Sequence, residues 1–110
     1  KKLDKSQIIN FLSKQDLTYV KRIEFWNKWH YYKGRYFISG LIVMNKMQSP
    51  LGSYGLTNDW RYWFCHELGH SILYNKYNSL SEKFFVDINM DGTCYISYDI
   101  NVISKDKRIV

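Results

Sequence analysis

Residues 58–75 read NDWRYWFCHELGHSILYN and contain no Pro and one Gly, Gly69. Asn58 or Thr57 can cap a helix that starts here, because a short polar side chain accepts a hydrogen bond from a free backbone N–H group of the first turn. Asp59 then lies at the positive end of the helix dipole, where a carboxylate is stabilising. The stretch therefore predicts a helix that runs from Asn58 to about residue 75.

The two His residues of this helix fall on one side of it. At about 100° per residue, His70 lies about 40° around the helix axis from His66, and Glu67 lies about 100° from it. We therefore expect one face of the helix to present polar side chains and the other to pack against the domain. The residues on the packed face are Phe64, Cys65, Leu68 and Ile72.

The spacing of these polar residues matches the needs of a zinc ion. Two imidazoles at positions i and i+4 lie one turn apart, so both can reach one tetrahedral ion at nitrogen-to-zinc distances of about 2.0–2.1 Å. Glu67 projects beside them, where its carboxylate can act as general base on a water that the ion has acidified to a pKa of about 7. The H-E-x-x-H pattern of His66, Glu67 and His70 therefore predicts zinc-dependent hydrolysis, most naturally of an amide bond.

Gly69 stands inside the helix although glycine costs about 1 kcal/mol there relative to alanine. Its presence indicates that another backbone or a substrate passes close to the helix, or that packing leaves no room for a side chain. Trp63 and Tyr74 could line a cleft beside the site, and core packing is the other interpretation of both. The sequence leaves these alternatives open.

The string His66-Glu67-Leu68-Gly69-His70, with the apolar residues around it, resembles the zincin metallopeptidases and especially the small ImmA/IrrE-like group of bacteria and their mobile elements. The match is limited to this helix and its surroundings. The resemblance implies a zincin-like fold in which a leading helix and a short sheet precede the ligand helix, with residues 37–45 as the strand ahead of it. It also implies cleavage of a repressor or regulator protein.

The third zinc ligand follows from this resemblance and not from the helix itself. Members of the group supply a Glu from a downstream helix with an E-x-x-A-x-x-F-A type of pattern, and Glu82 is the only Glu after Glu67 in this chain. The residues after Glu82 depart from that pattern, and the segment reads at least as much like a strand. The resemblance thus implies Glu82 as third ligand, with Asp87, Asp91, Asp99 and His30 as the other candidates.

A helix and a hairpin are predicted ahead of the zinc helix. Apolar residues at helical spacing predict a first helix within residues 3–14, capped by Asp4 or Ser6. Two segments rich in aromatic and β-branched residues, 19–29 and 35–45, predict the strands of a β-hairpin, with its turn just before the second segment.

A loop and a second hairpin complete the predicted fold. Pro50 and two Gly residues predict an exposed loop over 46–57. Segments 83–89 and 93–103 alternate between apolar and polar residues, and Asp91-Gly92 between them is typical of a hairpin turn. At 110 residues the chain suits one compact domain. We therefore predict a single small α+β domain over 1–110, with an N-terminal helix, a short antiparallel sheet and a metal-binding active-site helix.

Composition and charge exclude several other classes of protein. Hydrophobic residues make up 45% of the chain and aromatic residues 18%, which is too apolar for a disordered segment. The longest apolar runs, such as 37–44, are shorter than the roughly 20 residues that span a bilayer. The net charge of +6 comes from scattered Lys and Arg residues, so binding to nucleic acid is a secondary prediction. Small basic clusters occur at Lys1, Lys2 and Lys5 and at Lys105, Lys107 and Arg108.

The two cysteines, Cys65 and Cys94, are too few for a disulfide framework. Two buried thiols are the favoured interpretation and one disulfide is the alternative. Reduced thiols in turn favour a cytoplasmic location. The chain begins at Lys1 and shows no apolar signal segment, which we interpret as a trimmed chain, a processed product or an excised domain.

The predicted function is that of a zinc-dependent metallopeptidase that hydrolyses a peptide bond in a protein substrate. His66, His70 and Glu82 are its predicted ligands for Zn²⁺, and Glu67 is its predicted general base. The alternative is a catalytically inactive zincin-like module, or a basic binding or regulatory module that contacts protein or nucleic acid. An enzyme needs an open fourth position on the ion, whereas a structural zinc site is closed by four protein ligands.

Overall fold

The computed structural model of this chain describes residues 4–26, 33–45 and 59–103. Within these ranges the chain forms a small α+β fold, as the sequence predicts. The elements in chain order are α1 (Lys5–Leu12), β1 (Arg22–Trp26), β2 (Gly34–Tyr36), β3 (Leu41–Asn45), α2 (Trp60–Tyr77), β4 (Phe84–Ile88), β5 (Cys94–Tyr98) and α3 (Ile100–Ile103).

Some predictions concern residues outside these ranges. They are the loop at 46–57, the role of His30 and the basic residues near both chain ends other than Lys5. The prediction of one domain over 1–110 includes these segments and stays a prediction. In the described part of the chain no helix has the length and apolar character needed to cross a membrane.

α1 begins where the sequence predicts. The carboxylate of Asp4 accepts hydrogen bonds from the backbone N–H and the hydroxyl of Ser6, both at 2.9 Å. Phe11 is the buried residue of this helix, and its ring meets Trp60 and Phe64 edge-on at centroid distances of 5.2 and 5.9 Å. Because edge-to-face contacts between aromatic rings are favourable, this one side chain anchors α1 to the first turns of α2.

The prediction for the first hairpin is wrong in its pairing. Residues 35–45 form no single strand, because a turn divides them into β2 and β3, which pair with each other antiparallel. In that turn the backbone N–H of Gly40 donates to the carbonyl of Phe37 at 2.8 Å, and Gly40 has a φ of +102°, which favours glycine. Ser39-Gly40 was the local signal for this turn. β1 pairs in parallel with the other side of β3, which gives the strand order β1-β3-β2.

The second hairpin is confirmed. β4 and β5 pair antiparallel, and they form a separate two-stranded sheet rather than part of one antiparallel sheet. Gly92 in the connecting turn has a φ of +91°. The carboxylate of Asp91 accepts hydrogen bonds from the backbone N–H and the hydroxyl of Thr93 at 3.0 and 2.7 Å. These bonds hold the turn that Asp91-Gly92 predicts.

The predicted strand at 93–103 is too long. β5 ends at Tyr98, and the short helix α3 follows in place of further strand. The carboxylate of Asp99 accepts a hydrogen bond from the backbone N–H of Asn101 at 2.7 Å. This local bond caps a helical turn and competes with continuation of the strand.

α2 begins at Trp60 and ends at Tyr77. Its N-cap is Asp59 rather than Asn58 or Thr57, because the Asp59 carboxylate accepts a hydrogen bond from the backbone N–H of Arg61 at 3.0 Å. The guanidinium of Arg61 also binds this carboxylate at 2.7 Å. Asn78 ends the helix with a φ of 55°, a left-handed conformation that Asn adopts more readily than most residues.

α2 lies between the two sheets and contacts β2, β3, β4 and β5. Glu67 and Gly69 project on nearly opposite sides, since two residues correspond to about 200° of rotation. The Cγ atom of Glu67 lies 3.1 Å from where a Cβ on Gly34 of β2 would be, whereas Gly69 faces Phe84 of β4. The prediction of one packed and one open face is therefore wrong, because packing covers two sides. The buried residues of α2 are Phe64, Cys65, Glu67, Leu68, Gly69, His70, Ser71 and Leu73.

One cluster of buried side chains joins α1, β3, α2 and β4. Its members are Phe11, Ile42, Met44, Phe64, Cys65, Leu68 and Val86. Burial of apolar surface is the main favourable contribution to folding. This cluster therefore fixes the position of α2 relative to α1, β3 and β4.

Cys65 and Cys94 form a disulfide with a Cα–Cα distance of 5.4 Å, so the prediction of two free thiols is wrong. Cys65 lies inside α2 and Cys94 is the first residue of β5. The two meet because the β4–β5 hairpin packs against α2, which a count of cysteines does not reveal. The cytoplasmic prediction rested on reduced thiols and loses that basis, since disulfides persist in oxidising compartments.

Reduction of this disulfide should lower the free energy of unfolding by about 3–4 kcal/mol, because the unfolded chain regains the conformational freedom of a closed loop. The two cysteines are separated by 29 residues in sequence, which sets that estimate. Denaturant titrations with and without a reductant measure the difference. As a control, the protein unfolded without reductant should contain no thiol that reacts with a thiol reagent, and two reactive thiols per chain would contradict the disulfide.

Candidate metal centre

His66, His70 and Glu82 come together beside α2. The Nε2 atoms of His66 and His70 lie 3.1 and 3.2 Å from the same oxygen, Oε1 of Glu82. The donor atoms of the three residues all lie within 4.8 Å of one another. Two successive turns of α2 and the connection that follows it thus supply three potential metal ligands to one point.

Two of the three donor separations suit a zinc ion, whereas the third, between the two His donors, is limited only to 4.8 Å. Two atoms bound to one tetrahedral zinc at about 2.0–2.2 Å from it are about 3.4 Å apart, and the two measured separations, 3.1 and 3.2 Å, are close to that value. Two His and one Glu are also a ligand set of catalytic zinc sites. In the ranges that the structure describes, no other group of His, Cys, Asp or Glu residues has metal-site spacing, and Asp87, Asp91 and Asp99 lie outside this one.

Glu82 reaches the His residues from the connection between α2 and β4. Serine hydroxyls shape this connection: Ser81 donates its backbone N–H to Ser79 Oγ at 3.2 Å, and Lys83 donates its own to Ser81 Oγ at 3.0 Å. Such local bonds hold a chain in a turn where neither a helix nor a strand can continue. Glu82 therefore lies just before β4, and not on the helix that the family pattern requires.

The three ligands differ in their exposure to solvent. The side chain of Glu82 is 74% exposed, that of His66 25% and that of His70 10%. One side of the cluster is thus open to water, which leaves room for a fourth ligand. Burial lowers the pKa of His70, although the nearby Glu82 carboxylate opposes this effect. A neutral imidazole is the form that binds a metal.

Glu67 lies beside the cluster and is itself buried. Burial raises the pKa of its carboxyl from 4.5 to about 8, and the negative charge of Glu82 acts in the same direction. The backbone N–H of Tyr36 and the charge of Arg35 oppose the rise in pKa. A general base works best when its pKa is near the working pH. The sequence placed Glu67 beside an open face and did not predict this burial.

Two further residues of the centre, Phe84 and Tyr98, were not predicted from the sequence. The Phe84 ring, which projects from β4, contacts the imidazoles of both His66 and His70. The Tyr98 hydroxyl donates a hydrogen bond to the carbonyl of Gly69 at 2.5 Å. Alternation along each strand predicts that these side chains face inward. Which residue of α2 they meet depends on how the hairpin packs, for which the sequence contains no local signal.

The structure accounts for Gly69 and for Trp63. A Cβ on Gly69 would collide with the ring of Phe84, so packing against a side chain explains the glycine. The ring of Trp63 packs against the core and meets that of Tyr62 at 5.5 Å. Tyr74 is half-buried. Core packing is therefore the interpretation that holds for Trp63.

Comparison of the chain with protein-family models, with curated proteins and with solved structures finds no match. A functional assignment must therefore come from the residues themselves. The structure brings together His66, His70 and Glu82, which could hold a metal ion, with the carboxyl group of Glu67 beside them.

In the absence of metal, replacing Glu67 by Gln should stabilise the protein at pH 8 and change its stability little at pH 4. The pKa of Glu67 is raised from 4.5 to about 8 in the folded protein. Its favourable contribution to the free energy of unfolding is therefore complete below about pH 4.5. It is lost as the pH rises toward 8, at about 1.4 kcal/mol per pH unit. Glutamine does not titrate, so the variant lacks this loss.

Denaturant titrations of both proteins between pH 4 and 9, with a chelator present, measure this difference. Glu24→Gln serves as the control, because it makes the same chemical change on β1, where the carboxylate of Glu24 binds Arg22, instead of on α2. Curves for wild type and Glu67→Gln that stay parallel over this pH range would show that Glu67 ionises as it does in water.

Proposed function

We propose that this chain is a zinc-dependent metallopeptidase of zincin-like type. His66, His70 and Glu82 hold the ion, and Glu67 is the general base. The observation that carries the proposal is the convergence of both Nε2 atoms on Glu82 Oε1, at 3.1 and 3.2 Å. The H-E-x-x-H spacing on α2 and its resemblance to the ImmA/IrrE-like group support the same conclusion.

The ligand set and its exposure favour a catalytic over a structural zinc site. A structural site is closed by four protein ligands, whereas a catalytic one keeps a position for water or substrate. Among the described residues, no fourth His, Cys, Asp or Glu joins the cluster. The two cysteines are already bound to each other. The exposed side of Glu82 then corresponds to the open position.

The chemistry divides between the ion and Glu67. A bound zinc ion supplies a Lewis acid for the substrate carbonyl and lowers the pKa of a water molecule to about 7. Glu67 takes the proton from the attacking water and passes it to the nitrogen of the departing amine. The oxygen of the water bonds to the carbonyl carbon and the C–N bond breaks, so the products are a carboxylic acid and an amine.

The burial of Glu67 suits this role. A carboxylate excluded from water holds a proton more readily than one in solvent, which is what acceptance of a proton from water requires. Its position between α2 and the edge of β2 also limits the directions in which the side chain can turn, since Gly34 packs against its Cγ atom. The substrate class that the resemblance favours is a folded or unfolded protein, and a repressor or regulator is the specific candidate.

Purified wild-type protein should contain about one zinc per chain by elemental analysis, and His70→Ala should lose it under mild chelation. Glu82→Gln should weaken binding of Zn²⁺ more than about 100-fold, since loss of a ligand should exceed the 10–100-fold effect of losing an outer partner. Glu24→Gln is the matched control and should bind like wild type. Wild type that takes up no zinc when it is supplied would refute the metal site.

Glu67→Gln should keep its zinc and lose peptidase activity, because glutamine fills the same space but cannot accept the proton. Unfolded casein and a mixed fluorogenic peptide library are suitable substrates, since an open site should accept an extended chain. Activity retained by Glu67→Gln would rule out the mechanism. Bound zinc without hydrolysis in any of the proteins would instead favour the catalytically inactive zincin-like module.

A further inference from the structure

The side chain of Phe84 touches both imidazoles of the metal centre. Its ring stacks on that of His66 at a centroid distance of 4.9 Å and an interplanar angle of 21°. It meets the ring of His70 edge-on at 5.0 Å and 88°. The two imidazoles are themselves nearly perpendicular, at 86°. One flat side chain therefore contacts one imidazole in a stacked arrangement and the other in a perpendicular one.

Gly69 makes the space that this ring occupies. A Cβ on Gly69 would collide with Cε2 of Phe84 and would lie 3.1 Å from both Cδ2 and Cζ. Atoms of a rigid ring packed between other groups cannot give way to such a contact. A glycine one residue before His70 is thus what allows the ring to approach the backbone of α2 between the two ligands.

Tyr98 encloses the ring from the β5 side. Its ring lies 5.4 Å from that of Phe84 at an angle of 61°, and its hydroxyl donates to the Gly69 carbonyl at 2.5 Å. This hydrogen bond ties β5 to the turn of α2 on which Phe84 rests. Phe84 is therefore confined by α2, Tyr98 and the two imidazoles.

Confinement of Phe84 matters because the second torsion of a histidine side chain is only weakly restricted by its own covalent structure. Two free imidazoles on one helix would sample many orientations, and few of these bring both Nε2 atoms to one point. Orientation of metal ligands by groups behind them commonly changes metal affinity by 10–100-fold. If the two imidazoles are already ordered before a metal ion binds, binding costs no further conformational entropy, and the affinity for the ion is higher.

We propose that Phe84, in the space left by Gly69, is a positioning residue that holds both imidazole planes in the orientation needed to bind a metal ion. The inference rests on the metal site of the proposed function, and it concerns binding rather than hydrolysis. Phe84 has no donor atom, so it acts only through His66 and His70.

Phe84→Met tests the role of the flat ring, because methionine fills a similar volume with a flexible chain. We expect a loss of about 10–100-fold in affinity for Zn²⁺. The visible absorption spectrum of the Co²⁺-loaded protein should also change, since it reports the geometry of the ligands. Phe85→Met is the matched control: Phe85 is the next residue on β4, is 57% exposed and pairs with Tyr95 instead. It should bind both ions as wild type does.

A second pair of variants separates positioning from packing. Gly69→Ala should displace the Phe84 ring, with loss of both zinc affinity and stability. Addition of Phe84→Val should relieve the collision and restore stability without restoring affinity. If affinity returns together with stability in the double variant, the ring only fills space and the proposal is overturned.

The outcomes also separate this inference from the proposed function. Wild-type affinity and an unchanged Co²⁺ spectrum in Phe84→Met would overturn the positioning role alone. Wild type that binds no zinc would overturn both proposals. Zinc binding that depends on Phe84, in a protein without peptidase activity, would support the positioning role and refute the peptidase.

Discussion

The exclusion of water from α2 by two small sheets is the constraint on which the other features of the centre depend. β2 and β3 cover one side of the helix, and β4 and β5 cover another, so polar residues on this helix are buried that would be exposed on a surface helix. Glu67 and His70 are among them. Removal of water disfavours the charged form of each group. The pKa of the acid rises and that of the base falls, and both therefore tend to be neutral in the metal-free protein.

This neutrality has an electrostatic consequence for metal binding. In the proposed centre, a divalent cation would meet the imidazole nitrogens of His66 and His70, the exposed side chain of Glu82 and the buried carboxyl group of Glu67. The positive charge of the ion favours loss of the proton from that carboxyl group. Ionisation of Glu67 and occupation of the proposed centre would thereby be coupled, and each would favour the other.

The parts of the structure that the sequence predicts are those set by local spacing. The positions of His66, Glu67 and His70 follow from helical periodicity, and the β4–β5 turn follows from Asp91-Gly92. Pairing between segments that are distant in sequence is harder to predict. The parallel pairing of β1 with β3 is nonlocal, and Gly40, which separates β2 from β3, lies in an apolar run that by its composition resembles one continuous strand.

The remaining parts of the centre depend on how the hairpin packs against α2. Glu82 was suggested by resemblance rather than spacing, because it lies in a connection without regular structure. The Cys65–Cys94 bond and the contact of Phe84 with Gly69 both require β4 and β5 to lie against one particular turn of the helix. No residue near either cysteine encodes that placement on its own. Gly69 came closest to a signal, since a glycine in mid-helix indicates a close neighbour without identifying it.

The disulfide has a topological consequence. It closes a covalent ring over residues 65–94, and this ring contains the three proposed ligands, Glu67 and Phe84. The ligands therefore stay within one small macrocycle even when the domain unfolds, at a high effective concentration relative to one another. With zinc in the proposed centre, an unfolded but oxidised chain would keep some affinity for the ion, and binding to that state would offset part of the stability that the ion gives to the folded one. Oxidation would thus make the proposed centre easier to assemble and, by the same link, would make folding less dependent on the metal.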